Sequence, residues 1–135
     1  MSFKHSVLAA TVALTALTGT LAVTQAQASE PSPPKVSPEA KRVYHTTEGL
    51  KSCPKGRFCT ETKDRTTNSW KVHEFWKCGL YTLYNWEDVG AYINNQDDAK
   101  AKVYNKDMKL VWPEIPSNNK KGWGNWSDAW FIRPC

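Results

Sequence analysis

Histidine and recognisable catalytic motifs are both scarce in this chain of 135 residues. Beyond residue 28 the only histidines are His45 and His73, and there is no Gly-x-Ser-x-Gly, no His-Glu-x-x-His and no phosphate-binding loop. These absences argue against a nucleophile-elbow hydrolase, a zinc peptidase and a nucleotide hydrolase. We therefore expect a protein that is not an enzyme, with no catalytic residue, no cofactor and no metal.

A small secreted ribonuclease is the enzyme class that this composition still allows, because it needs only His, Glu and Arg side chains. His73, Glu74 and Arg57 supply these types, but at no recognisable spacing. His73 and Glu74 are adjacent in a segment with strand character, so their side chains are expected on opposite faces. Without a bulge they could not act together as an acid–base pair.

Only one long apolar run is present, and it lies near the start of the chain, from Val7 to Val23. It follows a short basic segment and precedes Ala26-Gln27-Ala28, a small-x-small cleavage pattern. This order predicts a secretory signal peptide over residues 1–28. The alternative is a membrane anchor, which needs about 20 uninterrupted apolar residues, whereas this run is shorter and contains Thr.

Charge of one sign does not dominate the chain. Removal of residues 1–28 takes away one of the 18 basic residues, Lys4, and none of the 13 acidic ones, so the formal net charge falls from +5 to +4. A charge of this size permits an acidic partner without requiring one. We expect a secreted, extracellular monomer with neither a nucleic-acid nor a membrane partner.

Cysteine is limited to four residues, all beyond residue 28: Cys53, Cys59, Cys78 and Cys135. An even count in a short exported chain indicates two disulfides, for which three connectivities exist. We favour Cys53–Cys59 and Cys78–Cys135, because Pro54 and Gly56 suit a tight turn inside the first pair. A zinc site is the alternative, but it needs closer pairs such as Cys-x-x-Cys.

Residues 29–43 are rich in Pro, Ser, Glu and Lys and predict a flexible leader ahead of a folded domain at residues 44–135. Within that domain the strand-prone segments are 57–62, 70–76, 80–84, 101–104, 110–112 and 129–133. Helical character is weak and confined to residues 86–92, and residues 117–124 indicate an exposed loop. The pattern predicts an all-β antiparallel sandwich or barrel.

Seven tryptophans are a large number for a chain of this size. The simpler interpretation is core filling, because each ring can bury a large area. The alternative is a set of exposed platforms for a sugar or a protein partner. Trp123 is the candidate with the least local cover, since glycines flank it on both sides.

Residues 94–98 gather several side-chain oxygens in the order Asn-Asn-Gln-Asp-Asp. Calcium binds clusters of oxygen ligands, so this segment is a candidate calcium site. The alternative, which we prefer, is a polar turn held by its own Asx hydrogen bonds.

Four motifs follow one another between residues 51 and 135: Cys53-Pro54-x-Gly56-x-Phe58-Cys59, Phe75-Trp76-Lys77-Cys78-Gly79, Leu83-Tyr84-Asn85-Trp86-x-x-x-Gly90-x-x-x-Asn94-Asn95-Gln96 and Pro134-Cys135. In this order they resemble peptidase inhibitor family 36, whose members are small exported bacterial proteins. The resemblance implies one βγ-crystallin-like domain, in which two Greek-key motifs form a β-sandwich. It also implies inhibition of an extracellular peptidase, with metallopeptidases as the best-known target class.

The sequence departs from the βγ-crystallin calcium motif, Asn/Asp-Asn/Asp-x-x-Ser/Thr-Ser. Asn94 and Asn95 match the start of this motif, but Asp98 and Ala99 stand at the two positions that close it with hydroxyl groups. This departure argues against calcium binding.

A secreted peptidase inhibitor is therefore the expected function, and a secreted carbohydrate-binding or antimicrobial module of the same fold is the alternative. A loop closed by a disulfide has little entropy left to lose on binding. Lys55 and Arg57, inside or beside the Cys53–Cys59 loop, are accordingly candidate target-binding residues, and Trp123 is the third. The simpler interpretation of both loops is that they are ordinary solvated turns.

Overall fold

The computed structural model describes residues 29–135, and the expected signal peptide at residues 1–28 lies outside the described residues. Nine strands and one turn of 3-10 helix, separated by turns and loops, make up the regular structure. They are β1 Lys35–Ser37, β2 Arg42–Thr46, β3 Arg57–Asp64, β4 Ser69–Phe75, β5 Tyr81–Tyr84, β6 Val89–Asn95, β7 Lys102–Tyr104, β8 Lys121–Asn125, the helical turn Trp126–Asp128 and β9 Phe131–Arg133.

The strands form two antiparallel sheets. The four-stranded sheet has the order β1-β5-β9-β7, and the five-stranded sheet has the order β2-β4-β3-β6-β8. One apolar core contains side chains from both sheets, so the sheets pack face to face and the all-β sandwich is confirmed. In residues 29–135 no helix is long and apolar enough to cross a membrane.

Trp126 lies at the centre of the core between the sheets. Its ring meets Trp86 edge-to-face at a centroid distance of 5.0 Å and Trp112 at 4.8 Å. Its Nε1 donates a hydrogen bond of 2.9 Å to the carbonyl oxygen of Glu61. The pairing of β3 with β6 ends at the residue before Glu61. The indole therefore donates to a carbonyl just beyond the paired part of the two strands.

Residues 47–56, which we call the covering loop, bury part of the outer face of the five-stranded sheet. Leu50 and Cys53 from this loop belong to a second apolar cluster with side chains of β3, β4 and β6. The backbone N–H of Leu50 also donates to the carboxylate of Glu61. Strand β3 is therefore covered on both faces, and it is buried along nearly its whole length, without the alternation of a half-exposed strand.

Both expected disulfides, Cys53–Cys59 and Cys78–Cys135, are confirmed. The first joins the covering loop to β3. The second joins the last residue of the chain to the connection between β4 and β5. No cysteine in residues 29–135 is left free.

Residues 29–43 do not form a flexible leader throughout, contrary to the sequence-based expectation. They contain β1, which pairs with β5, and the start of β2, which pairs with β4. Trp86 Nε1 donates to the Lys35 carbonyl at 3.0 Å, and Lys71 Nζ donates to the Pro34 carbonyl at 2.7 Å. The segment is poor in apolar residues, but partners far along the chain hold it in place.

Three further expectations from the sequence were wrong. Residues 86–92 have no helix, and their last four residues belong to β6. Residues 117–124 are not entirely loop, since β8 begins at residue 121. Residues 110–112 form no strand and contribute only an isolated bridge between Leu110 and Tyr104.

Gly90 is required where Trp126 approaches β3, because an added Cβ would overlap both the Glu61 carbonyl oxygen and the Trp126 indole nitrogen. We predict that Gly90→Ala lowers the free energy of unfolding by about 3 kcal/mol, through overpacking and loss of a buried hydrogen bond. Gly79→Ala is the matched control, since nothing lies within 4 Å of a Cβ at that position. Urea unfolding of both variants checks this prediction, and equal effects would contradict it.

Candidate target-binding surface

The covering loop ends in a tight turn at residues 54–56, which we call the Lys55 turn. The Arg57 N–H donates to the Pro54 carbonyl at 3.2 Å, which closes the turn. Gly56 has a φ of +79°, a conformation that favours glycine. Its N–H donates to the Asn95 carbonyl at 2.7 Å, so the turn is attached to the end of β6.

Asn95 fixes the Lys55 turn a second time through its side chain. Its Nδ2 donates to the carbonyl oxygen of Cys53 at 2.7 Å. Cys53 is in turn bonded to Cys59 in β3. The turn is therefore exposed but tied to two strands of the five-stranded sheet, and it has little conformational freedom.

Lys55 projects from this turn into solvent, and its side chain is 73% exposed. Its Nζ lies 2.7 Å from Oδ1 of Asp97, which is equally exposed. An exposed ion pair of this kind contributes little to stability. The ion pair instead orients the Lys55 ammonium group and leaves it accessible to a partner.

Arg57 is more strongly engaged within the protein than Lys55. Its side chain is only 26% exposed, and its guanidinium lies 3.1 Å from the buried carboxylate of Glu74. Arg42 approaches the same carboxylate at 3.8 Å. Removal of Arg57 would leave Glu74 with less compensation, so this arginine has a structural role in the sheet.

Trp123 lies on β8, an edge strand of the five-stranded sheet, and is 58% exposed. Its neighbours Gly122 and Gly124 face the core, where an added Cβ would meet the rings of Tyr92 and Trp112 respectively. Lys121 places its ammonium 4.6 Å from the centroid of the Trp123 ring. The ring therefore stands on the outer face with a cation beside it.

The Lys55 turn and Trp123 lie at opposite ends of β6. The turn is bonded to Asn95, and Trp123 pairs with Ala91. Asn95 follows Ala91 by four positions along the strand, or about 13 Å. Ala91 and Trp123 share a face with the side chains that the covering loop contacts. Both candidates can therefore contact one partner, since a standard interface buries about 800 Å² on each side.

The tryptophans divide between the core and the surface. Trp86 and Trp126 are buried, which supports the core-filling interpretation for these two. The large exposed rings are Trp76, Trp123 and Trp130. Trp76 follows β4, which β3 and β6 separate from β8, and Trp130 precedes β9 in the other sheet. The exposed rings thus do not form a continuous row.

The His73–Glu74 pair is divided between the two faces of the sheet, as the sequence predicts. The His73 ring lies in the core, with its centroid 4.9 Å from that of Trp86. Burial, together with the smaller effect of the charges of Lys71 and His45, lowers the pKa of His73 to about 3. The imidazole is therefore neutral and enclosed at neutral pH, and Glu74 is on the opposite face with Arg57.

Asn94 is enclosed, and its side chain is used for internal hydrogen bonds. Nδ2 donates to the carbonyl oxygens of Ala99 and Ile115, while Oδ1 accepts from the backbone N–H and the side-chain amide of Gln96. This is the Asx-turn arrangement. Residues 29–135 contain no group of three or more His, Cys, Asp or Glu side chains placed to hold a metal ion.

Sequence reasoning missed the residues that orient the Lys55 turn. Asp97 and Asn95 lie about 40 residues further along the chain, and no local pattern connects them to the turn. Comparison of the chain with protein-family models, curated proteins and solved structures found no significant match.

The buried neutral His73 makes stability depend on pH. An unfolded histidine with a pKa near 6.5 binds a proton as the pH falls, but the folded one does so only near pH 3. The contribution of neutral His73 to the free energy of unfolding is therefore complete above pH 6.5. At lower pH it decreases, by about 1.4 kcal/mol per pH unit between these two pKa values. We predict that acidification from pH 7 to pH 5 lowers the free energy of unfolding of the wild type by about 2 kcal/mol, because the unfolded state gains a proton at His73.

Urea unfolding of His73→Phe at the same two pH values checks this assignment. Phenylalanine keeps an aromatic ring against Trp86 but binds no proton, and few carboxyl groups titrate in this range. Between pH 7 and pH 5 the free energy of unfolding of the variant should decrease by about 2 kcal/mol less than that of the wild type. An equal pH dependence in both proteins would contradict the assignment.

Proposed function

We propose that the protein is a secreted inhibitor of an extracellular peptidase and that it binds its target through the Lys55 turn and Trp123. The observation that carries the proposal is the combination of exposure and constraint in the Lys55 turn. Lys55 is open to solvent, whereas the backbone beside it is fixed by a disulfide and by hydrogen bonds to Asn95. A segment with these properties loses little entropy when it binds.

The surroundings of the turn support recognition of a protein. Trp123 supplies an accessible aromatic ring about 13 Å away along β6. Exposed Trp next to less important contacts is typical of interface hot spots. The covering loop behind both features is packed on the sheet, so the surface can meet a partner without first folding.

The strand connections support the Greek-key part of the resemblance to peptidase inhibitor family 36. Strands β3 and β4 are neighbours, β5 crosses to the other sheet, and β6 returns to pair with β3 on the side away from β4. Such a return past a hairpin is the connection on which Greek keys are built. We therefore propose a βγ-crystallin-like topology, and metallopeptidases as the first target class to test.

Secretion belongs to the same proposal. The two disulfides suit an oxidising compartment, and the basic, apolar and small-residue order of residues 1–28 is that of a signal peptide.

Carbohydrate binding is the competing function, and the observation in its favour is the presence of three exposed tryptophans. A sugar chain that stacks on several rings needs them along one line. Trp130 lies by the other sheet, and β3 and β6 separate Trp76 from Trp123, so the three rings do not follow one strand, which favours the inhibitor.

We predict that residues 29–135, purified with both disulfides intact, inhibit at least one member of a panel of metallo-, serine and cysteine peptidases. Inhibition should be stoichiometric, and the protein should not be consumed as a substrate. Initial rates at increasing inhibitor concentration measure it. Absence of inhibition at micromolar concentration across the panel, together with retention on chitin or peptidoglycan, would favour the carbohydrate-binding alternative.

We further predict that Trp123→Ala weakens inhibition about thirtyfold, which corresponds to about 2 kcal/mol for a central anchor. Trp130→Ala is the matched control, because Trp130 is exposed to a similar degree but precedes β9 in the other sheet. Lys55→Ala should also weaken inhibition, whereas Lys106→Ala, in an exposed turn near Trp130, should not. If the Trp130 variant is affected as strongly as the Trp123 variant, the proposed surface is wrong.

A further inference from the structure

A cleft of about 440 Å³ lies between β1, the connection to β2, and strands β2 and β4. It is on the opposite side of the five-stranded sheet from the covering loop, since its β4 residues are Lys71 and His73 rather than Val72. Its apolar walls come from Val36, Ala40 and Val43. The cleft thus belongs to neither the Lys55 turn nor Trp123.

Positive charge dominates the polar lining of this cleft. Three lysines, Lys35, Lys41 and Lys71, line it, and Glu39 is the one carboxylate among its lining residues. Arg42 also lines the cleft, but its guanidinium lies 3.8 Å from Glu74, on the covering-loop face of the sheet. In the described part of the chain, none of the three lysines has a carboxylate within ion-pair distance.

The cations have other, uncharged partners. Lys71 Nζ donates to the Pro34 carbonyl, and Lys41 lies 4.5 Å from the centroid of the Trp76 ring. These contacts orient the ammonium groups without neutralising them. An anion that enters the cleft would therefore find uncompensated positive charge in a partly enclosed site, where charge interactions are stronger than in bulk water.

His73 gives the cleft a polar wall that the protein itself does not satisfy. The side chain is 1% exposed, and within residues 29–135 its Nδ1 has no hydrogen-bond partner. Native proteins leave few such groups unpaired, so this nitrogen in the wall of the cleft indicates a place for a bound polar molecule.

We propose that this cleft binds a small organic anion, with its carboxylate or phosphate among Lys35, Lys71 and the His73 edge and its apolar part along Val36, Ala40 and Val43. Apolar walls with a few converging polar groups are the usual composition of a small-molecule site. The site is independent of peptidase inhibition.

Binding should be detectable at His73. The titratable groups around its ring are Lys71 and His45 on β4 and β2, with Lys35, Lys41 and Glu39 around the cleft. An anion among these cations offsets their charge, so the pKa of His73 rises when the site is filled. Burial remains the larger cause that keeps this pKa low.

NMR and calorimetric titrations of residues 29–135 at low, constant ionic strength test the proposal. The probes are hexanoate, hexyl phosphate, inorganic phosphate and hexanol. At neutral pH, hexanoate or hexyl phosphate should shift the signals of residues 35–43 and 71–73 in a saturable way and bind at least tenfold more tightly than hexanol. Hexyl phosphate, which stays anionic where His73 titrates, should also move the midpoint of the His73 ring titration to higher pH. Saturable binding of inorganic phosphate at the same residues, without binding of hexanoate or hexyl phosphate, would overturn the organic part of the proposal and leave a free anion as the occupant.

Lys35→Glu and Lys106→Glu are a matched pair of charge reversals. Lys35 lines the cleft, and its side chain has no ion pair in the described residues, whereas Lys106 lies in an exposed turn after β7. Lys35→Glu should weaken hexanoate binding at least tenfold, and Lys106→Glu should change it less than twofold. Equal weakening in both variants, equal binding of hexanol, or no saturable shift with any anion would overturn the proposal.

Discussion

The indole of Trp126 is the contact on which both layers of the sandwich depend. It occupies the space between the sheets, meets two other tryptophan rings edge-to-face, and hydrogen-bonds to the backbone of β3 at Glu61. The ring can reach that carbonyl only because Gly90 has no side chain. One ring thereby connects the helical turn after β8 to the central strand of the five-stranded sheet, which positions β8 and Trp123 relative to β3.

Glu61 connects the core between the sheets to the outer face of the five-stranded sheet. Its carbonyl accepts from Trp126 on the inside, while its carboxylate accepts from the Leu50 N–H in the covering loop on the outside. The disulfide between Cys53 and Cys59 attaches the same loop two residues before Glu61. The rigidity of the proposed binding turn therefore derives from packing on both sides of one strand, and not from the disulfide alone.

The sequence predicted the fold class, both disulfides and five of the nine strands, because those features depend on local composition and on the number and spacing of the cysteines. It missed β8, whose glycines indicated a loop, since their role depends on Tyr92 and Trp112 from elsewhere in the chain. It missed β1 for a related reason: its pairing partner, β5, lies more than 40 residues away. Lys55 and Trp123 were identifiable as exposed residues, whereas Asn95 and Asp97, which fix the turn, were not.

The two faces of β8 have different tolerance to mutation. The inward positions, Gly122 and Gly124, admit no side chain, because aromatic rings already occupy that space. The outward position, Trp123, is largely free of packing constraints. Substitutions at this position should change the proposed binding surface at little cost to folding. The strand thus separates the residue that a partner would contact from the residues that maintain the core.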